Sequence, residues 1–234
     1  MPSPVITTLT QAVARRGSDP LLTWYDPATS ARTELSVRTF ANWVDKTANL
    51  LRELDAADTA VVGAVSVSHP GHWMSLVWPL AAWQAGCRYT TMPSGEAQVM
   101  VTGPHNPQPF PVLTTIACSL HPLGLPLAGL PDGVLDFSSE ALAQPDLHLA
   151  NRVDPDAAAW VDAERVISHR NLLADPISER IVVLARTLAR TPWQTLSQAV
   201  LRPLAGGGSA VVVDGPAEQS ALDRIAASEH ATMA

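Results

Sequence analysis

The stretch from Asp154 to Asp175 carries the side chains that could do chemistry. Its pattern predicts a buried strand over Ala157–Val161, a short polar turn, and a helix from about Ser168 that carries His169 and Arg170. A strand, turn and helix in this order is where an α/β protein usually binds phosphate. The helix N-terminus there offers unpaired N–H donors and a partial positive charge. The stretch therefore marks a position suited to an anion.

The turn itself, with the sequence DAERVI after Val161, lacks the groups that such a site needs. Glycines let the backbone approach a phosphate, and a lysine, serine or threonine usually completes the cradle. This turn has no glycine and no lysine, and it places Asp162 and Glu164 where the anion would lie. The sequence thus predicts the right place for a phosphate without the chemistry to hold it.

His169 could still contact an anion alongside Arg165 and Arg170, although local hydrogen bonds at a helix start are the simpler interpretation. Ser168 and the adjacent His169 are the residue types of a nucleophile–base pair. Neighbours in sequence point apart on a helix, so we do not expect these two to act on each other.

Two spacings could bind a metal ion. Asp162 and Glu164 form a carboxylate pair that Mg²⁺ could use, and His69 and His72 are three residues apart. No third ligand is in sight for the carboxylates, so a solvated turn is the simpler interpretation. For the histidines, the intervening Pro70-Gly71 more simply starts a helix. We expect no metal and no cofactor.

The composition limits the partners and the compartment. The 234 residues include 47% apolar and 16% charged residues, enough apolar material for a sizeable core. A formal net charge of −7 argues against nucleic acid and against anionic lipid as partners. Cys87 and Cys118 share no short spacing, which favours a reducing compartment. No apolar run approaches the roughly 20 residues of a membrane span. These features predict a soluble, cytoplasmic protein.

Strands and helices alternate along the chain. Helices are predicted at Val5–Arg16, Ser36–Leu54, Pro70 to about Gly86, Ser138–Gln144, Trp193–Leu201 and Ala217–Ser228. Strands are predicted at Leu21–Tyr25, Ala31–Leu35, Ala60–Val67, Arg88–Thr91, Gln98–Thr102, Val112–Ala117, Ile181–Leu184 and Ala210–Val213. This alternation indicates an α/β fold with doubly wound, mostly parallel sheets flanked by helices. We divide it into a first subdomain at 1–150 and a second at 151–234.

Four segments resemble motifs of one known family in their order and spacing. They are Glu34-Leu35-Ser36 followed by Ala48-Asn49-Leu50-Leu51; Trp83–Tyr89 (WQAGCRY); Ile167–Leu173 (ISHRNLL); and Leu201–Gly207 (LRPLAGG) before Ala210–Val213. The family is the adenylate-forming superfamily, which includes acyl-CoA synthetases and peptide-synthetase adenylation domains. The chain resembles its N-terminal half. ISHRNLL is similar to the T-H-x-N-L helix that follows the family's phosphate loop.

The departures from that family matter most for function. Its phosphate loop reads T-S-G-T-T-G-x-P-K-G, but here only seven residues join Trp160 to Ser168. The chain also ends before the family's later nucleotide motifs and its small domain with the catalytic lysine. Losing about four charge-assisted hydrogen bonds removes on the order of 8 kcal/mol, the free energy of a micromolar ligand. The resemblance therefore implies a relative that has lost ATP binding and adenylation.

We accordingly expect a non-catalytic relative that acts as a binding or protein-partner module. It would either retain a small acyl or aryl pocket near Trp160 and Trp193, or self-associate or bind a protein through the edge where the family's second half packs. The alternative is a ligase or acyl-transfer enzyme completed by a second polypeptide. A hydrolase using His169 is weaker, because the sequence offers no nucleophile. The candidate ligand-binding residues are Trp160, Arg165, Ser168, His169 and Trp193.

Overall fold

The computed structural model describes residues 1–105, 107–110, 113–173, 175–185 and 190–233. The strands are β1 Pro20–Asp26, β2 Ala31–Ser36, β3 Ala60–Gly63, β4 Arg88–Thr90, β5 Ala97–Thr102, β6 Thr114–Ala117, β7 Val134–Asp136, β8 Ala158–Val161, β9 Val166–Ser168, β10 Arg180–Ala185, β11 Ser209–Asp214 and β12 Thr232–Met233. The helices are α1 Pro4–Arg16, α2 Val37–Glu53, α3 Ala64–Ser68, α4 Trp73–Gln84, α5 Phe137–Leu142, α6 Pro192–Leu196, α7 Arg202–Gly206 and α8 Gln219–Ser228.

Within the described residues, the strands form two sheets. The smaller sheet has the order β12-β10-β11-β1-β2, and the larger sheet has the order β7-β6-β5-β3-β4-β8-β9. Neighbouring strands in both sheets run parallel, apart from the antiparallel pairs β1–β2 and β8–β9. The strand order reverses direction at β3, as a doubly wound sheet requires. The predicted α/β fold with mostly parallel sheets is confirmed.

Strands from both sides of residue 150 contribute to both sheets. The smaller sheet takes β1 and β2 from the N-terminal hairpin and its other strands from the last part of the chain. One hydrophobic core cluster joins residues from α1, α2 and α4 to residues of β10 and β11. The division at residue 150 therefore stays a prediction about subdomains, while the core runs across it.

Helix α2 illustrates how sequence determines these elements. The Ser36 hydroxyl accepts a hydrogen bond from the Thr39 backbone N–H at 3.1 Å, which caps the helix start. Phe40, Val44 and Leu51 repeat at helical spacing and are fully buried. The buried face packs mainly on α4, a helix buried along its whole length in the core.

Ser36→Ala should lower the free energy of unfolding by about 1 kcal/mol, because the helix loses a cap for one of its unpaired N–H groups. Chemical denaturation of the purified variant measures this loss. Ser18→Ala is the control, since Ser18 is exposed and lies outside the helices. Equal stability of the two variants would contradict the assigned capping role.

Several predicted elements differ at their boundaries, and two of them differ by three or four residues. The strand predicted over Ala60–Val67 ends at Gly63, and α3 follows it. The Tyr89 ring occupies the space that a side chain at position 63 would need, and the α3 residue Ser66 hydrogen-bonds the Tyr89 hydroxyl at 2.6 Å. The helix predicted from Pro70 begins instead at Trp73. Val112, the predicted start of β6, lies outside the described residues.

The helix predicted over Trp193–Leu201 is part of a longer helical run. It begins at Pro192, widens into a π-turn over Ser197–Leu201, and continues as α7 to Gly206. Pro203 has no N–H to donate to the preceding turn, and the backbone widens just before it. The short strands β7 and β12 were not predicted, because two or three residues carry no readable period. Within the described ranges, no helix has the length and apolar character needed to cross a membrane.

Candidate functional site

Where the sequence predicts a turn followed by a helix, the structure has a β-hairpin. Strand β9 pairs antiparallel with β8, so that Ser168 lies opposite Ala158 and Val166 opposite Val161. The helix predicted from Ser168 is wrong: a short 3-10 turn over His169–Asn171 takes its place. Valine and isoleucine at the start of β9 favour extended backbone, and pairing with β8 satisfies their peptide groups.

The carboxylate of Asp162 organises the hairpin turn. Its Oδ1 accepts hydrogen bonds from the backbone N–H groups of Glu164 at 2.8 Å and Arg165 at 2.9 Å. Its Oδ2 accepts a hydrogen bond from the indole Nε1–H of Trp160 at 2.8 Å. The Asp162 N–H in turn donates to the Arg165 carbonyl at 3.0 Å. The N–H groups that could have bound an external anion therefore already donate to the Asp162 carboxylate.

Arg165 is also engaged within the turn. Its Nη2 lies 2.6 Å from Glu164 Oε2, and its Nε lies 3.6 Å from Asp162 Oδ2. The guanidinium thus faces two carboxylates of the same hairpin, which compensate its charge. An incoming anion at this place would meet those carboxylates as well as the guanidinium.

Aromatic rings fill the space around Trp160. Its side chain is fully buried, with the Tyr89 ring stacked at a centroid distance of 5.5 Å and the Trp193 ring at 5.4 Å. Trp193 is itself only 9% exposed. The structure thus brings together the two tryptophans of the candidate set, but in contact with each other. The acyl or aryl pocket near them stays a prediction that needs these rings to separate.

Ser168 and His169 lie at the opposite end of the sheet from the hairpin turn. Strand β9 runs back along β8, and its three residues carry the chain on the order of 10 Å from Arg165 to His169. The His169 backbone N–H donates to the Ala157 carbonyl at 3.1 Å, just before β8 begins. Arg165 and His169 therefore do not share a site. The Ser168 hydroxyl accepts a hydrogen bond from Asn171 Nδ2 at 3.2 Å.

His169 is 3% exposed and its Nδ1 lies 3.0 Å from the hydroxyl of Ser3. Burial lowers the pKa of His169, and the nearby Asp154 opposes that shift in part. Ser3 is the hydroxyl that sequence reasoning missed, because 166 positions separate the two residues. Ser3 is fully buried and out of reach of a substrate. The pair instead ties the start of α1 to the 3-10 turn.

A cavity of about 280 Å³ lies beside His169, lined among others by Arg88, Arg152 and Asp154. It opens at the amino ends of the parallel strands β3, β4 and β8. Ligands of doubly wound sheets usually bind at the carboxyl ends. The position of this cavity therefore does not identify it as an active site.

The two histidines considered as metal ligands have structural contacts. His72 Nδ1 accepts a hydrogen bond from the Met74 backbone N–H at 3.2 Å and so caps α4. His69 Nδ1 lies 2.9 Å from the Ser68 hydroxyl. Across the part of the chain that the structure describes, no three His, Cys, Asp or Glu side chains converge as a metal site would need.

No family model matches the chain. A curated protein of Mycobacterium tuberculosis (strain ATCC 25618 / H37Rv), described as a TIGR03089 family protein, is 30% identical over 223 residues. The match covers 91% of this chain and 90% of that protein.

The chain is similar in structure to three synthetases and ligases. An acyl-CoA synthetase of Brucella canis gives a TM-score of 0.71 at 14% identity, covering 98% of this chain and 46% of that one. Acetoacetyl-CoA synthetase of Streptomyces lividans gives 0.72 at 18% identity, covering 97% and 41%. An anthranilate CoA ligase in complex with anthranoyl-AMP gives 0.64 at 14% identity, covering 94% and 46%. The chain thus spans less than half the length of each, and its fold is that of the adenylate-forming enzymes.

Proposed function

This chain belongs to the TIGR03089 family, and from that premise we propose that it is a non-catalytic relative of the AMP-dependent synthetases and acyl-CoA ligases, acting as a binding or protein-partner module. The observation that carries the proposal is the Asp162 carboxylate. It accepts hydrogen bonds from two backbone N–H groups of the turn and from the Trp160 indole. By the resemblance of the sequence motifs, this turn corresponds in position to the phosphate loop of the adenylate-forming superfamily.

Electrostatics supports the same conclusion. A triphosphate at the turn would have to displace Asp162 from its three donors, and it would then lie beside both Asp162 and Glu164. Two like unit charges about 4 Å apart repel by about 4 kcal/mol at an effective dielectric constant of about 20. Arg165 offers little attraction in return, because it already faces these carboxylates. The turn thus disfavours the positioning and charge neutralisation that phosphoryl chemistry requires.

A role in binding a protein is supported by strand β9. It lies at the edge of the larger sheet as the described strands define it, and Val166 on it is 68% exposed. An edge strand presents backbone N–H and C=O groups that a strand of another chain can pair with. Self-association through this edge is the simplest form of the proposal. Size-exclusion chromatography with light scattering should give a dimer, and a Val166→Lys variant should shift it to monomer; a wild-type monomer would contradict this form.

The loss of nucleotide binding is tested by a thermal shift. Millimolar ATP with Mg²⁺ should change the melting temperature by less than about 1 °C, because a protein without a nucleotide site gains no stability from the ligand. ADP with Mg²⁺ and Mg²⁺ alone are the ligand controls. A nucleotide-specific rise of several degrees would contradict the proposal.

Such a rise would instead support a ligase or acyl-transfer enzyme completed by a second polypeptide. The observation that favours this alternative is the fold that the chain shares with solved synthetases and ligases. Two variants would then locate the nucleotide. Arg165→Ala should abolish the shift if the hairpin binds it, and Arg152→Ala should abolish it if the cavity beside His169 does.

A further inference from the structure

A second cavity lies on the outer side of the helices, away from the hairpin. Its volume is about 430 Å³, and it is bounded by α1, by α2 and by the irregular segment 144–150, here called the strap. Its apolar lining includes Ile6, Leu9, Val13, Ala41, Leu147 and Leu149. Leu147 and Leu149 are 72% and 83% exposed, unusual for side chains of this size.

Polar side chains of two helices hold the strap in place. Asn49 Nδ2 donates to the carbonyls of Pro145 at 3.1 Å and Leu147 at 3.0 Å. Lys46 Nζ donates to the Gln144 carbonyl at 2.6 Å, and Gln84 Nε2 donates to a further strap carbonyl at 3.2 Å. With its backbone tied at several points, the strap forms a preformed wall of the cavity.

The strap residue His148 anchors this wall through its buried ring. Both partners of Asn49 Nδ2 are carbonyls, which fixes the Asn49 amide so that its Oδ1 faces His148 Nδ1 at 2.9 Å. His148 Nδ1 must then carry the proton, which leaves Nε2 with a lone pair. Nε2 is buried and has no hydrogen-bond partner among the described residues. Burial lowers the pKa of His148, and the positive charge of Arg52 lowers it further.

Asp45 supplies a hydrogen-bond acceptor in the lining. Its carboxylate accepts a hydrogen bond from Gln84 Nε2 at 2.5 Å and another from the backbone N–H of His148. Burial raises its pKa, and the negative charge of Asp146 raises it further, while those hydrogen bonds oppose the shift. The chain's one lysine, Lys46, pairs with Asp146 at 2.6 Å. In the described ranges, no ion pair within 4 Å compensates Asp45.

We propose that this cavity binds a small primary amine with an apolar body. The ammonium group would donate hydrogen bonds to the Asp45 carboxylate, and the apolar body would cover the walls formed by α1 and the strap leucines. A ligand that must accept a hydrogen bond is disfavoured, because the N–H groups of the Gln84 amide already donate to other groups of the chain. A carboxylic acid would be repelled by Asp45 and Asp146. Arg38 is also in the lining, but it is exposed at the rim. This inference stands apart from the proposed function.

The test is an NMR titration of the full chain with n-hexylamine, with hexanoate and n-hexanol as matched probes. Hexylamine should cause saturable shifts of the backbone amides of residues 145–150 and of the Asn49 and Gln84 side-chain amides. Hexanol should bind at least tenfold more weakly, a loss of about 1.4 kcal/mol, and hexanoate should cause no saturable shift. Absence of saturable shifts with hexylamine, or equal binding of hexanoate, would overturn the proposal.

Three variants assign the interaction. Asp45→Asn preserves the shape of the side chain and should raise the Kd for hexylamine at least tenfold. Leu149→Ala should raise it several-fold, and because Leu149 is mostly exposed this variant should fold normally. Asp132→Asn, an exposed carboxylate before β7, is the control and should leave the Kd unchanged. Equal Kd values for Asp45→Asn, Leu149→Ala and Asp132→Asn would overturn the proposed site.

Discussion

Asp162→Ala is expected to lower the free energy of unfolding by about 3 kcal/mol, because hydrogen bonds to a charged acceptor contribute about 1.5–3 kcal/mol each. Three donors lose the carboxylate at once: the Glu164 and Arg165 backbone N–H groups and the Trp160 indole. The two backbone groups lie in a solvated turn and can bind water. The indole belongs to a buried side chain, and its unsatisfied N–H accounts for much of the loss.

Urea denaturation measures this loss, and Asp156→Ala is the control from the same stretch of chain. Asp156 pairs with Arg170 at 2.6 Å, but the two side chains are 67% and 54% exposed. Such a surface pair contributes at most about 1 kcal/mol. A loss for Asp162→Ala no larger than that of Asp156→Ala would show that the carboxylate does not organise the hairpin.

Glu229→Ala is expected to lower the free energy of unfolding by a similar amount, about 3 kcal/mol, for a different reason. Glu229 follows the last residue of α8 and its side chain is 9% exposed. Its carboxylate accepts hydrogen bonds from Tyr25 Oη at 2.5 Å, Arg32 Nε at 2.9 Å and Arg180 Nη2 at 2.5 Å. Removing the carboxylate leaves Arg180 without its closest counter-ion and releases α8 from β1, β2 and β10.

The hydrogen-bonded cluster around Glu229 also makes the stability of the fold depend on pH. Burial acts to raise the pKa of Glu229, but the hydrogen bonds from Arg32, Tyr25 and Arg180 outweigh it and lower the pKa from 4.5 to about 2. A group whose pKa is lower in the folded state stabilises the fold above its unfolded pKa. The contribution is complete above about pH 5.5 and is lost as the pH falls from 4.5 towards 2.

The Glu229→Gln variant isolates that contribution, since glutamine keeps the shape but cannot ionise. The stability difference between the wild-type protein and this variant should be constant near neutral pH and shrink as the pH falls below 4.5. Glu218→Gln, at an exposed glutamate before α8, should show no such pH-dependent difference. A difference for Glu229→Gln that is the same at pH 3 and pH 7 would contradict the assigned network.

Local sequence signals predicted most of the elements. The apolar stripe of α2 and its Ser36 cap identify that helix without tertiary information. The continuous apolar run at β11 likewise identifies a buried parallel strand. These elements are predictable because their own residues carry the period, the cap or the run that determines them.

The candidate site was predicted less well, because its conformation depends on pairing rather than on local pattern. The resemblance to a family motif favoured a helix at His169, whereas Val166 and Ile167 pair with β8 instead. The sequence predicts that Asp162 disfavours phosphate, which stays a prediction, but it does not reveal the role of Asp162 in closing the turn. An aspartate that opens a four-residue turn is the signal that could have indicated it.

Contacts between distant segments lie beyond such signals. Ser3 meets His169, and the N-terminal hairpin inserts β1 beside β11. Nothing in either segment specifies its partner, since any buried hydroxyl or exposed strand edge could serve. The assembly of the smaller sheet from both ends of the chain is determined by packing of the whole core.

The most direct test of the central claim is an NMR titration with ATP and Mg²⁺ that follows the Trp160 indole N–H and the Glu164 and Arg165 amides. These are the donors that a phosphate at the hairpin would need and that Asp162 already occupies. We predict no saturable change in these three resonances at millimolar ATP. Saturable shifts of all three with a micromolar Kd would show that the nucleotide displaces Asp162, and would contradict the account.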